Sequence, residues 1–100
     1  MVKFEEGPKL EHNTIAVERV QIGVRMEKRM VKVLQGLAEF HDITLGDLLE
    51  GTVLHAFENK TPFDDVSLAC IMQLKEVYGM DYGASASHRF IEDASKVQEE

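Results

Sequence analysis

Tryptophan is absent from this 100-residue chain, and cysteine (one), tyrosine (two) and proline (two) are scarce. The single cysteine, Cys70, excludes an internal disulfide and points to an intracellular location, with the bacterial cytoplasm as the expectation. No apolar run approaches the roughly 18 residues of a membrane span, and Met1 to Leu10 is charged, unlike a signal peptide. A membrane partner is therefore not expected. Basic residues are also in the minority: 11 Lys and Arg stand against 18 Asp and Glu, a net charge of −7. That balance excludes the uniformly basic surface of a purely electrostatic nucleic-acid binder. No glycine-rich phosphate loop follows a strand, and the acids show no paired-carboxylate spacing, so the chain is not expected to be an enzyme and no cofactor is expected.

What remains is the composition of one soluble domain, 44% apolar and 29% charged. The charge is uneven. Residues 1–17 and 18–60 each carry a net −1, whereas residues 61–100 carry −5. Within the middle part Arg19, Arg25, Lys28, Arg29 and Lys32 fall close together, with Glu27 the one acid among them. A local basic patch on an acidic protein is one reading of that cluster, and a solvated helix face is the other.

Residues 1–17 read as a flexible N-terminal arm, with Gly7-Pro8 and no periodicity over the first 13. Val20, Ile22, Val24 and Met26 then alternate with Gln21, Gly23 and Arg25, the period of a strand with one buried face. The period switches at about residue 27, where Met30, Val33, Leu34, Leu37 and Ala38 predict an amphipathic helix to about residue 41. Gly36 costs that helix about 1 kcal/mol relative to Ala, which suggests a close backbone approach. Thr44 and Asp47 form a capping pattern for a second helix ending near Asn59. A third helix is predicted from Asp65 to Tyr78, capped by Asp64 or Asp65 and stopped by Gly79, with much of its surface buried. A short fourth helix follows from Ser85 or Ser87, carrying Phe90, Ile91, Ala94 and Val97.

A lone buried strand cannot leave its backbone groups unpaired. Glu18-Arg19 is a poor hairpin turn back to Thr14–Val17, so the strand is expected to pair with its copy in a second chain. The order of strand, helix, short turn and helix resembles the ribbon-helix-helix (Arc/MetJ-like) family of dimeric DNA-binding repressors, over about residues 20–58. The residues that carry it are the ribbon Val20–Met26, the first-helix positions Met30 to Ala38, the turn His41–Thr44, and Leu45, Leu48, Leu49, Val53 and Phe57. The resemblance implies a mostly α homodimer with a ribbon-helix-helix core over 18–60; it leaves 61–100 unmatched, where the apolar pattern itself predicts a two-helix acidic extension packed on that core. It further implies a sequence-specific transcriptional regulator whose ribbon reads bases through Gln21, Gly23 and Arg25. Phosphates would fall to Arg19, Lys28 and Arg29 and to the helix start at Thr44, Leu45 and Gly46. Gly23 brings no side chain and Asp47 puts a negative charge where a phosphate would sit. The alternative is therefore a dimerisation or protein-interaction module, antitoxin-like or structural, that does not bind DNA.

His12, His41, His55, His88 and Cys70 lack metal-ligand spacing, so no metal is expected. Cys70 falls in an apolar stripe and reads as a small core residue. Residues 61–100 are too apolar for a disordered tail, and either enlarge the core or present a surface to another protein.

Overall fold

The computed structural model describes residues 14–96. Residues 1–13 of the expected arm, and residues 97–100, lie outside the described residues. Three helices form the body: α1, Lys28–His41; α2, Leu45–Phe57; and α3, Asp65–Tyr78. Each begins at a side chain that accepts from an otherwise unpartnered first-turn amide. Glu27 accepts from Met30 N at 3.2 Å, Thr44 from Asp47 N at 3.0 Å, and Asp64 from Ser67 N at 2.9 Å. α1 ends on Asp42 and α3 on Gly79, both left-handed. At Gly79, with φ of 68°, the absence of a Cβ makes that conformation cheap.

α1 is the centre of the fold. It packs against α3 and, less extensively, against α2, while α2 and α3 do not pack on each other. Leu37, Ala38 and Leu48 form the buried core, ringed by Leu34, Leu45, Phe63, Cys70, Ile71 and Leu74. Gly36 lets α3 approach: a Cβ there would lie 2.7 Å from Leu74 Cδ2. His41, the last residue of α1, bonds through Nε2 to the buried Ser67 Oγ at 2.7 Å and so ties the end of α1 to the start of α3.

Two expectations are corrected. The described residues contain no strand and no sheet, so the ribbon-helix-helix core is not the observed fold. Residues 14–27 are non-helical and form no strand, and Val20, Ile22 and Val24 are 80%, 76% and 68% exposed. Alternation reports which side chains share a side of an open backbone; a strand also needs a hydrogen-bonded neighbour, and none of the described residues supplies one. The extension has one helix, not two. Residues expected in a fourth helix form two short 3₁₀ turns, Ala84–Ala86 and Ala94–Lys96. His88 turns left-handed at φ 66°, and Asp93 accepts from the backbone and hydroxyl of Ser95, local bonds that compete with helix continuation.

Burial is also thinner than the stripes suggest. α2 buries only Leu48, with Val53, Leu54 and Phe57 exposed, and α3 buries only Ser67, with Val66, Leu68, Met72 and Val77 exposed.

Candidate functional site

The candidate residues lie on the extended segment and on the two helix starts that follow it. Gln21 and Gly23 are exposed, and a Cβ at Gly23 would meet only open space. Each arginine of the cluster is met by an acid from a different element. Arg19 makes a two-pronged bond to Glu50 of α2, Nε to Oε2 at 3.0 Å and Nη2 to Oε1 at 2.9 Å. This pairing holds the Glu50 carboxyl below its usual range. Arg25 pairs with Glu92. Arg29 turns away from the segment, donating to Glu27 at 3.0 Å, to the Gly79 carbonyl at 3.0 Å and to Asp81 at 3.3 Å. Lys28 and Lys32 are exposed and make no ion pair among the described residues.

Arg29 belongs to the most connected polar cluster of the molecule. Glu27 caps α1, pairs with Arg29 and accepts a bond from the Tyr82 hydroxyl. The Arg29 guanidinium stands 5.4 Å from the centroid of the Tyr82 ring, whose edge meets Phe90 at 5.1 Å. Partial burial opposes ionisation of Glu27, but the bonds from Tyr82, Arg29 and the Met30 amide outweigh it and hold the carboxyl at about 2. Burial and the neighbouring carboxylate push the Tyr82 hydroxyl up to about 12. Glu27 was visible in the sequence only as the acid before a helix, and nothing there linked it to Tyr82.

At the start of α2 the Thr44 hydroxyl is engaged as the cap, Leu45 is half-buried and Gly46 is exposed. Asp47 occupies the first turn and brings its negative charge to the positive helix end. The structure therefore brings Arg19 beside α2 and Arg25 beside residue 92. It does not join Arg19, Arg25, Lys28 and Arg29 into one unopposed basic face. Among the described residues no group of His, Cys, Asp and Glu is arranged to hold a metal. His55 Nδ1 lies 2.8 Å from the Gly51 carbonyl within its own helix, and Cys70 is half-buried against the core. No helix among the described residues is long and apolar enough to cross a membrane.

No protein-family model matches the chain, and no curated protein or solved structure was found to be similar to it.

Proposed function

We propose that this chain acts as a homodimer that binds DNA through the polar side of its extended segment, as a transcriptional regulator. One observation carries the reading: on residues 20–26 the exposed apolar side chains Val20, Ile22, Val24 and Met26 alternate with Gln21, Gly23 and Arg25. The apolar set calls for a cover, and a cover on that set leaves the polar set outward. Arg19, between Glu18 and Val20, is tied to Glu50, one turn before the exposed Val53 and Leu54 of α2. The segment and α2 thus supply neighbouring exposed apolar side chains, Val20, Ile22, Val24 and Met26 on the one and Val53, Leu54 and Phe57 on the other. A lone soluble chain rarely leaves that much in water. The second copy is the cover that needs no further partner, and the Arg19–Glu50 pair offsets one of the acids beside the patch.

A protein-interaction module without DNA binding is the second reading, favoured by the acids on Arg19, Arg25 and Arg29. Magnitudes keep DNA first. The Arg19 and Arg25 side chains remain 68% and 79% exposed within their pairs. Such exposed pairs contribute little and can be exchanged for a bidentate contact to a base edge.

Sedimentation tests the dimer. Ile22→Asp is expected to convert dimer to monomer while the helical circular dichroism stays, because Ile22 is largely exposed among the described residues of its own chain. A wild type that is monomeric at micromolar concentration ends the reading. Selection from random duplexes at low salt tests DNA. Arg25→Ala is expected to cost about 1–3 kcal/mol and relax the selected sequence, whereas Lys28→Ala weakens all duplexes alike. If the dimer forms and no duplex is enriched, the interaction-module reading takes over.

A further inference from the structure

We propose that the cleft enclosed by α1, α3 and residues 80–90 binds a small carboxylate with an aliphatic body. The cleft holds about 380 Å³, within the roughly 300–1,000 Å³ typical of small-molecule sites. Its walls are apolar: Met30 and Leu34 of α1, Ile71 of α3, and Phe63, Met80 and Phe90. The charged side chain on its wall is Lys75, and His88 is the other basic group; no carboxylate lines it.

Lys75 is what gives the cleft a chemical preference. Its side chain is half-buried and makes no ion pair among the described residues. Lys28 and Lys32 also lack an acid among the described residues but stand exposed away from the cleft, whereas Lys75 borders its apolar wall. An ammonium beside an apolar wall gains from an anion placed against it. An inorganic anion would satisfy Lys75 and leave the Met, Leu, Ile and Phe walls wet. A hydrocarbon would cover those walls and leave Lys75 unpaired. An anionic head on an aliphatic body meets both demands. The inference rests on the cleft's own residues and does not depend on the DNA reading.

The test is titration of the full chain with octanoate, followed by the methionine methyl resonances, with octan-1-ol and octyltrimethylammonium as comparators. Met30 and Met80 line the cleft, whereas Met26 and Met72 lie outside it. The expected result is saturable shifts at Met30 and Met80 only. Octan-1-ol should bind about tenfold more weakly, the loss of one charge-assisted hydrogen bond. Lys75→Met should abolish the preference for octanoate over octan-1-ol, and Leu34→Trp should block both by filling the cleft. Equal binding of octanoate and octan-1-ol, shifts spread to Met26 and Met72, or no saturable shift would each overturn the proposal. Should Leu34→Trp fail to fold, the loss of preference in Lys75→Met still decides.

Discussion

α1 and α2 are neighbours in sequence, 14 and 13 residues long, and both carry a clear apolar stripe. α1 buries Val33, Leu37 and Ala38, because α2 and α3 pack on it from two sides. α2 has α1 as its only helical neighbour and buries Leu48 alone, leaving Leu54 and Phe57 at 64% and 80% exposure. The extended segment goes further in the same direction, with its whole apolar set in water. A stripe in a sequence thus identifies which residues want cover without saying whether the same chain provides it. Here α1 is covered from within its own chain, whereas α2, the outer side of α3 and residues 14–27 look outward.

A matched pair of truncations breaks the comparison open. Leu37→Ala removes the most buried large side chain, 1% exposed, and is expected to cost about 2–5 kcal/mol. In a chain of this size that lowers Tm by roughly 10 °C or more, to the same extent at every protein concentration. Leu54→Ala removes the same atoms from an exposed position. In an isolated chain it should change stability by less than about 0.5 kcal/mol. If α2 is covered by a second copy, its cost appears as a Tm that depends on protein concentration. Thermal melts of both variants over a hundredfold dilution distinguish the cases.

The cluster around Glu27 sharpens the boundary between the two regions, since it fastens the start of α1 to residues 79–90. Tyr82→Phe deletes one bond to a charged acceptor and should cost about 1.5 kcal/mol. The pH dependence has a definite sign. Glu27 is held at about 2, below its ordinary 4.5, so its contribution is present above about 4.5 and lost as pH falls towards 2. Tyr82 is raised to about 12 from its ordinary 10.0, so that contribution is present below 10 and lost as pH rises towards 12. In Tyr82→Phe the Tm should change less steeply across both windows. An unchanged profile would mean that the hydroxyl is not on Glu27.

A smaller effect than that of Leu37→Ala is expected at Gly36, where α1 meets α3. Gly36→Ala gains about 1 kcal/mol of helix propensity and loses about 1–3 kcal/mol by pressing a methyl into Leu74. A net loss near 1 kcal/mol follows, and it should shrink in a Leu74→Ala background. A stabilised Gly36→Ala would show that Leu74 moves aside freely.

What was legible in the sequence was local. Thr44 with Asp47, Asp64 or Asp65, and Gly79 after Tyr78 mark helix ends within a few residues, and all three helices lie where their periodicity puts them. Gly36 betrayed the close approach of α3 without naming Leu74 as its neighbour. What depended on distant or absent partners was not legible. The alternation at Val20–Met26 was taken for a strand because it carries no information about a hydrogen-bonding neighbour. Phe90, Ile91 and Ala94 fit a helical stripe, but the stripe could not register the left-handed His88 or the Asp93–Ser95 bonds. Of the candidate site, exposure of Gln21, Gly23 and Arg25 followed from the pattern. The turning of Arg29 towards Gly79 and Asp81 did not, since those residues lie 50 and 52 positions away.

The open backbone of residues 14–27 has a consequence for how long the protein survives in a cell. Proteases grip substrates as extended chain, and here Arg19 and Arg25 stand in such chain, outside any helix and facing solvent. Cutting there needs no prior unfolding of α1–α3, so the global stability of the helical body offers no protection. Turnover would then follow how often these residues lie bare, and if a second copy covers them as proposed, abundant copies would shield one another.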